Sequence, residues 1–149
     1  MKVAMGADHA GFALKDQMAV FVKQLGHETM DLGTYTSDPV DYPDVAAAVA
    51  EAVRTGQAER GILFCGSGVG TCVAANKVRG VRAAVCHDTY SAHQAVEHDA
   101  LNVLCLGSRV IGSELAMELI RAFLAARFTQ EERHVRRLSK VNRLEETGR

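Results

Sequence analysis

The chain has 149 residues, the size of one domain that can bury a core of its own. Hydrophobic residues make up 48% and charged residues 23%, which excludes wholesale disorder. Seventeen Lys and Arg against eighteen Asp and Glu give a net charge of -1, so no global attraction to nucleic acid or an anionic membrane is expected. Cys65, Cys72, Cys86 and Cys105 form no CxxC pair, which excludes zinc-ribbon and thioredoxin-type motifs. No apolar run approaches the ~20 residues of a membrane span. Met1-Lys2 is not followed by a secretory h-region and cleavage site. The expectation is a cytoplasmic protein with reduced thiols.

Short apolar runs alternate with helical patterns along the chain. Residues 2–5 form the first run, followed by Gly6-Ala7-Asp8-His9-Ala10-Gly11. Leu14, Met18, Phe21, Val22 and Leu25 then recur at helical spacing, and Gly26 stands where a helix would end. A weaker strand is predicted over 28–32 and a polar loop over 34–42. A helix is predicted over 43–55, opened by Pro43 and carrying Val45, Val49 and Val53 on one face. The clearest strand is 61–65, with Gly66-Ser67-Gly68-Val69-Gly70 directly after it and a helix over 71–77. A fourth strand is expected over 82–86, followed by a helix N-capped by Asp88 that runs through His98. Residues 101–106 form a fifth strand. The longest helical pattern is 111–128, and a charged helix over 129–146 closes the chain.

This alternation predicts an α/β fold of three layers, with a five-stranded parallel sheet, Rossmann-like in the flavodoxin manner, and an extra C-terminal helix. Residues 1–149 form one domain in this reading. Ligands in such folds bind beyond the C-terminal ends of the strands. That rule draws attention to Asp8 and His9, to residues 65–70, and to His87 with Asp88.

The alternating glycines of the 66–70 loop let successive backbone N–H groups point inward at an anion. The loop lacks the spacing of a dinucleotide fingerprint and the lysine of a P-loop. Its bland alternative is a tight strand-to-helix turn. Cys65 precedes the loop, and a thiol near a helix N-terminus ionises more readily than a free one, which suits a base or nucleophile. A buried, inert cysteine is the alternative, and Cys72, Cys86 and Cys105 are assigned to it. Ser67 adds a hydroxyl or serves only as a turn residue. Asp8 and His9 could orient a sugar hydroxyl or a phosphate, or be a capping carboxylate and a surface imidazole. His93 and His98 are five apart and diverge by about 140° around a helix, so they cannot form an HExxH zinc pair. His27, His87 and His93 read as solvated. Arg133-His134-Val135-Arg136-Arg137 is the basic cluster, either a phosphate clamp or a solvated face.

Taken together, the segments Gly6-Ala7-Asp8-His9-Ala10-Gly11-Phe12, Asp41-Tyr42-Pro43, Cys65-Gly66-Ser67-Gly68-Val69-Gly70, Ala74-Ala75-Asn76-Lys77, Asp88-Thr89-Tyr90-Ser91-Ala92, Asn102-Val103-Leu104 and Gly107-Ser108-Arg109-Val110-Ile111-Gly112 are distinctive. With Arg133-His134 and Arg137, they resemble the ribose-5-phosphate isomerase B family, which also contains the galactose-6-phosphate isomerase subunits. The resemblance runs in order through nearly the whole chain. It implies interconversion of an aldose phosphate and a ketose phosphate, a step of the pentose phosphate pathway, with no metal and no organic cofactor. It implies that Cys65 is the base moving a proton between C1 and C2. A related branch has Glu one residue after the glycine loop, where this chain has Thr71. The resemblance further implies that the amides of Gly66, Gly68, Val69 and Gly70 stabilise an enediolate oxygen and that Ser67 helps move protons between O1 and O2. His98 would open the sugar ring with Asp8 assisting. His9, Arg133 and Arg137 would bind phosphate, and Asn102, Arg109 and Tyr42 would line the sugar site. The implied unit is a homodimer with a shared site, open to a tetramer, with the C-terminal helix on a partner subunit. Around His98 the chain reads Val96-Glu97-His98-Asp99-Ala100-Leu101-Asn102, where the family more often has Arg before and Asn after the His. A hexose phosphate such as galactose or allose 6-phosphate is the alternative substrate. A non-catalytic anion- or nucleotide-binding module and a cysteine redox sensor are the alternatives of other classes.

Overall fold

The computed structural model describes residues 1–148. Strands β1 (Lys2–Ala7), β2 (Glu28–Asp31), β3 (Arg60–Cys65), β4 (Ala83–Val85) and β5 (Val103–Gly107) alternate with helices α1 (Phe12–Gln24), α2 (Tyr42–Arg54), α3 (Val69–Ala75), α4 (Thr89–Asp99), α5 (Ser113–Ala125) and α6 (Glu132–Thr147). All pairings are parallel, in the order β2-β1-β3-β5-β4. The expected three-layer architecture is what the chain forms, with one refinement. In the flavodoxin order β4 would neighbour β3; here β5 takes that place and β4 lies at the edge.

Composition explains the exchange. The inner strands GILFC and VLCLG are apolar on both faces and buried throughout. The edge strands ETMD and AAV are short and only half-buried. The consequence for the site is direct. The register Cys65↔Gly107 sets the glycine loop after β3 beside the end of β5 at Gly107 and the residues that follow it.

Side chains alternate across the sheet. Val3, Met5, Ala7, Ile62, Phe64, Leu104 and Leu106 share one core with the inner residues of α1, α4 and α5. Ala4, Leu63, Val103 and Cys105 share the other with α2 and its neighbours. The second layer packs closely because the sheet presents glycine there. A Cβ on Gly6 would lie 2.6 Å from Val45, and one on Gly61 would lie 2.7 Å from Val49.

The chain ends depart from the sequence reading. The fifth helix stops at Ala125 rather than 128, and α6, not α5, is the longest described helix. Arg60 sets that stop from across the sequence. Its guanidinium donates to the carbonyls of Phe123 and, at 2.6 Å, of Ala126, taking carbonyls that a helix end leaves unpaired. Arg127 donates to Leu124 O and Ala126 O, both at 2.9 Å. Burial, and then the neighbouring Arg127 charge, pull the Arg60 pKa down to about 10. Asp88 caps α4 as expected, with Oδ1 accepting from Ser91 N at 2.7 Å. Within this chain α6 buries one residue, His134, and leaves Val135, Val141 and Leu144 exposed.

Candidate active site

Cys65 is the last residue of β3 and is 5% exposed. It lines an open cleft of about 360 Å³ with Asp8, Tyr42, Gly66, Ser67, Gly70, Arg109 and Val110. The thiol is placed by the loop that follows it. Gly68 turns the backbone into the left-handed region at φ +80°, which a side chain adopts at a cost. Its N–H then donates to Cys65 Sγ at 3.0 Å. The Val69 amide donates to Ser67 Oγ at 3.2 Å. Gly68 faces the backbone of Leu106 and Gly107, and the Val69 side chain is 55% exposed, so these two shape the loop by their backbones. With only seven residues in α3, attraction for an anion here rests on loop amides more than on a helix dipole.

Residues after β5 clamp the loop. A Cβ on Gly107 would lie 2.6 Å from the Ser67 carbonyl carbon, so nothing larger than glycine fits between the two segments. Ser108 N donates to Cys65 O at 2.8 Å, and Ser108 Oγ donates to Ala10 O at 2.7 Å, which ties the ends of β1, β3 and β5 together. Arg109 N donates to Gly66 O at 3.0 Å and sets its guanidinium against Gly66. The Tyr42 ring closes the other side over Gly70. Asp8 Oδ1 accepts from Ala10 N and Gly11 N at 2.9 and 3.0 Å, which commits that oxygen to the turn. His9 is exposed, and its Nδ1 accepts from Val40 N at 3.2 Å.

The remaining expected site residues lie elsewhere in the chain. Helix α4 starts beyond the C-terminal end of the sheet and runs back along it, so His98 comes at the opposite edge. Asn102 precedes β5 and accepts Gly61 N at its carbonyl. Four residue steps along the strand separate Gly61 from Cys65, or roughly 13 Å. The Asn102 side chain is itself committed: Oδ1 accepts from Arg82 N at 2.7 Å and Nδ2 donates to Gly80 O at 2.9 Å. Gln94 Nε2 lies 2.8 Å from His98 Nδ1, a hydrogen bond that orients the ring. The His98 ring stacks on His134, with centroids 4.0 Å apart. His134 is 1% exposed, and its Nδ1 lies 2.6 Å from Thr129 Oγ1. Burial, then the nearby His98, Arg133 and Arg137, hold the His134 pKa below its ordinary value. Arg133 and Arg137 are exposed. One chain therefore carries two groups: Cys65, Ser67, Asp8, His9, Tyr42 and Arg109 at one end of the sheet, and His98, Asn102, Arg133 and Arg137 at the other.

Three residues gain roles that sequence reasoning did not assign. His134 is the buried partner of His98. Thr71, fully buried, sets Oγ1 3.5 Å from Cys65 Sγ. His87, read as solvated, is half-buried, and its Nε2 accepts from Gly107 N at 3.0 Å. A hydrogen bond shared with the Cys105 thiol pulls the Cys72 pKa down to about 7, while Cys105 goes up. Burial pushes the Cys86 thiol up to about 11. Only the position of Thr71, one residue past the glycine loop, was a visible signal in the sequence.

A cysteine at a strand end, held by a glycine loop with a carboxylate and an arginine beside it, marks a small-molecule site beyond the C-terminal ends of a parallel sheet. A family model described as Ribose/Galactose Isomerase matches residues 3–141. The chain belongs to that family. It is 43% identical over 145 residues to ribose-5-phosphate isomerase B of Escherichia coli, covering 97% of each chain. It is 47% identical over 132 residues to D-erythrulose-4-phosphate isomerase of Pectobacterium atrosepticum, covering 86% of this chain and 85% of that one. Among solved structures, ribose-5-phosphate isomerase B of Clostridium thermocellum superposes with a TM-score of 0.97 at 44% identity, covering 100% of both chains.

Proposed function

We propose that the protein interconverts D-ribose 5-phosphate and D-ribulose 5-phosphate through a cis-enediolate, without a metal or organic cofactor. The observation that carries the reading is the Cys65 sulfur, held by the Gly68 amide in a cleft with Asp8, Ser67 and Arg109. As a thiolate, Cys65 takes the C2 proton of the open aldose. The C2–H electrons form the C1=C2 bond, and O1 gains a proton. The thiol then returns its proton to C1 while O2 loses one, and the ketose results. Ser67 stands between O1 and O2 to carry protons, and the amides of the 66–70 loop stabilise the enediolate oxygen. His9, Arg133 and Arg137 hold the phosphate, Asn102 and Tyr42 line the sugar, and His98 with Asp8 opens the ring.

That assignment requires residues from both ends of the sheet, so it entails a homodimer in which a partner subunit brings His98, Asn102, Arg133 and Arg137 to Cys65. The exposed Val135, Val141 and Leu144 of α6 favour such a contact. A second reading keeps the chemistry and changes the sugar. The 47% identity to an erythrulose-4-phosphate isomerase favours a tetrose phosphate, and the family description also names galactose.

Turnover of tetrose, pentose and hexose phosphates, measured side by side with a chelator present, tests substrate and metal independence together. The leading reading expects the pentose to be used best and the chelator to have no effect. Cys65→Ala and His98→Asn variants are each expected to be inactive. Mixed in equal amounts and reassociated, they should regain about a quarter of the parental activity, because half of the dimers then carry one intact site. No recovery in exchanging subunits would rule out the shared site.

A further inference from the structure

Thr71 is buried at 0% exposure beside the candidate base, and its hydroxyl makes two contacts. Oγ1 donates to Gly68 O at 3.1 Å and lies 3.5 Å from Cys65 Sγ. The sulfur also accepts the Gly68 N–H at 3.0 Å, so sulfur, amide, carbonyl and hydroxyl close a small ring. With the hydroxyl proton on Gly68 O, a lone pair of Oγ1 faces the sulfur and accepts the S–H of a neutral thiol. An ionised sulfur has no proton to give. Rotation about Cβ–Oγ1 then turns the hydroxyl proton toward it. Gly68 O is not stranded by that rotation, because Cys72 N donates to it at 3.2 Å. One hydroxyl can thus satisfy both states of the sulfur without leaving a buried group unpaired. The Gly68 amide, which can only donate, has no lone pair to offer the S–H of the neutral thiol.

We propose that Thr71 is a positioning residue for Cys65, accepting from the thiol and donating to the thiolate, so that the sulfur keeps its place over the cleft while it takes and returns a proton. This rests on the reading of Cys65 as the base. No bond at Thr71 breaks. Its hydroxyl rotates as the substrate proton passes from C2 to sulfur and from sulfur to C1.

The test compares the parent with Thr71→Val, which keeps the shape and removes the hydroxyl, and Thr71→Ser, which keeps the hydroxyl. Alkylation by iodoacetamide is followed against pH, with peptide mass mapping to separate Cys65 from the half-buried Cys72. Kinetics with ribose 5-phosphate run alongside. The valine variant should move the midpoint of the Cys65 profile up by about one pH unit and slow its alkylation at neutral pH roughly tenfold. Its kcat should fall about tenfold with little change in KM, and the serine variant should restore both. If the valine variant does not fold, Thr71→Ala carries the same expectation. An unchanged Cys65 profile without the hydroxyl overturns the proposal. Equal losses in the serine variant also overturn it, since packing would then be the cause. The alkylation readout needs no turnover, so an active Cys65→Ala enzyme would remove the base assignment without deciding the contact between Thr71 and the sulfur.

Discussion

Backbone approach, more than side-chain chemistry, sets the tolerance of single residues around Cys65. Gly11 and Gly107 are the tightest points. A Cβ on Gly11 would lie 2.5 Å from the Phe64 carbonyl, and one on Gly107 would lie 2.7 Å from the Ser67 carbonyl oxygen. In both cases the obstacle is backbone, which cannot rotate aside. Gly107→Ala is expected to cost roughly 1–3 kcal/mol of stability and to shift Ser67 away from the cleft. Urea denaturation midpoints and turnover of the same variant check the two effects. Parental values for both would contradict the close contact. At this scale Cys65, Ser67 and Asp8 were legible because strand ends and glycine turns are local patterns. The contacts of Thr71 and His134 were not. A buried hydroxyl or imidazole is defined by neighbours such as Cys65 and His98, which a helical pattern does not name.

Among the elements, α4 shows where sequence and geometry disagree. It ends at Ala100 with φ 51° and ψ 44°, the left-handed cap that usually falls to glycine or asparagine. Ala100→Gly should therefore stabilise the protein by about 0.5–1 kcal/mol, read as a raised denaturation midpoint with an unchanged slope. A lowered midpoint would show that the alanine methyl makes a contact worth more than the backbone strain. At the other end, Asp88→Ala removes the acceptor of the Ser91 amide and should lower the denaturation midpoint, measured the same way. The Asp88 cap was visible from sequence because capping is local. The end of α5 was not. Its helical pattern runs on to Phe128, but the Arg60 guanidinium, brought from β3, takes the terminal carbonyls and stops it at Ala125.

For the whole molecule, three imidazoles tie stability to pH. Burial is the first cause in holding His27, His87 and His134 below the ordinary 6.5. Their folded-state pKa values are lowered, so below about pH 6.5 the unfolded chain binds more protons than the folded one. Stability is then fully present above that pH and falls on acidification. Thermal midpoints should drop between about pH 7 and pH 5.5. His87→Gln, whose amide oxygen can still accept from Gly107 N but does not titrate in that range, should drop less steeply. An identical pH dependence in parent and variant would contradict the His87 assignment.

The sequence by itself determined the alternation of strand and helix, the parallel sheet, and the glycine loop after Cys65, because hydrophobic period, turn glycines and caps act over a few residues. Only the tertiary structure decided that β5 lies beside β3, that Arg60 ends α5, and that His98 and Arg137 lie across the sheet from Cys65 in the same chain. Those outcomes depend on which buried surfaces meet across long stretches of sequence, and short-range patterns carry no information about that.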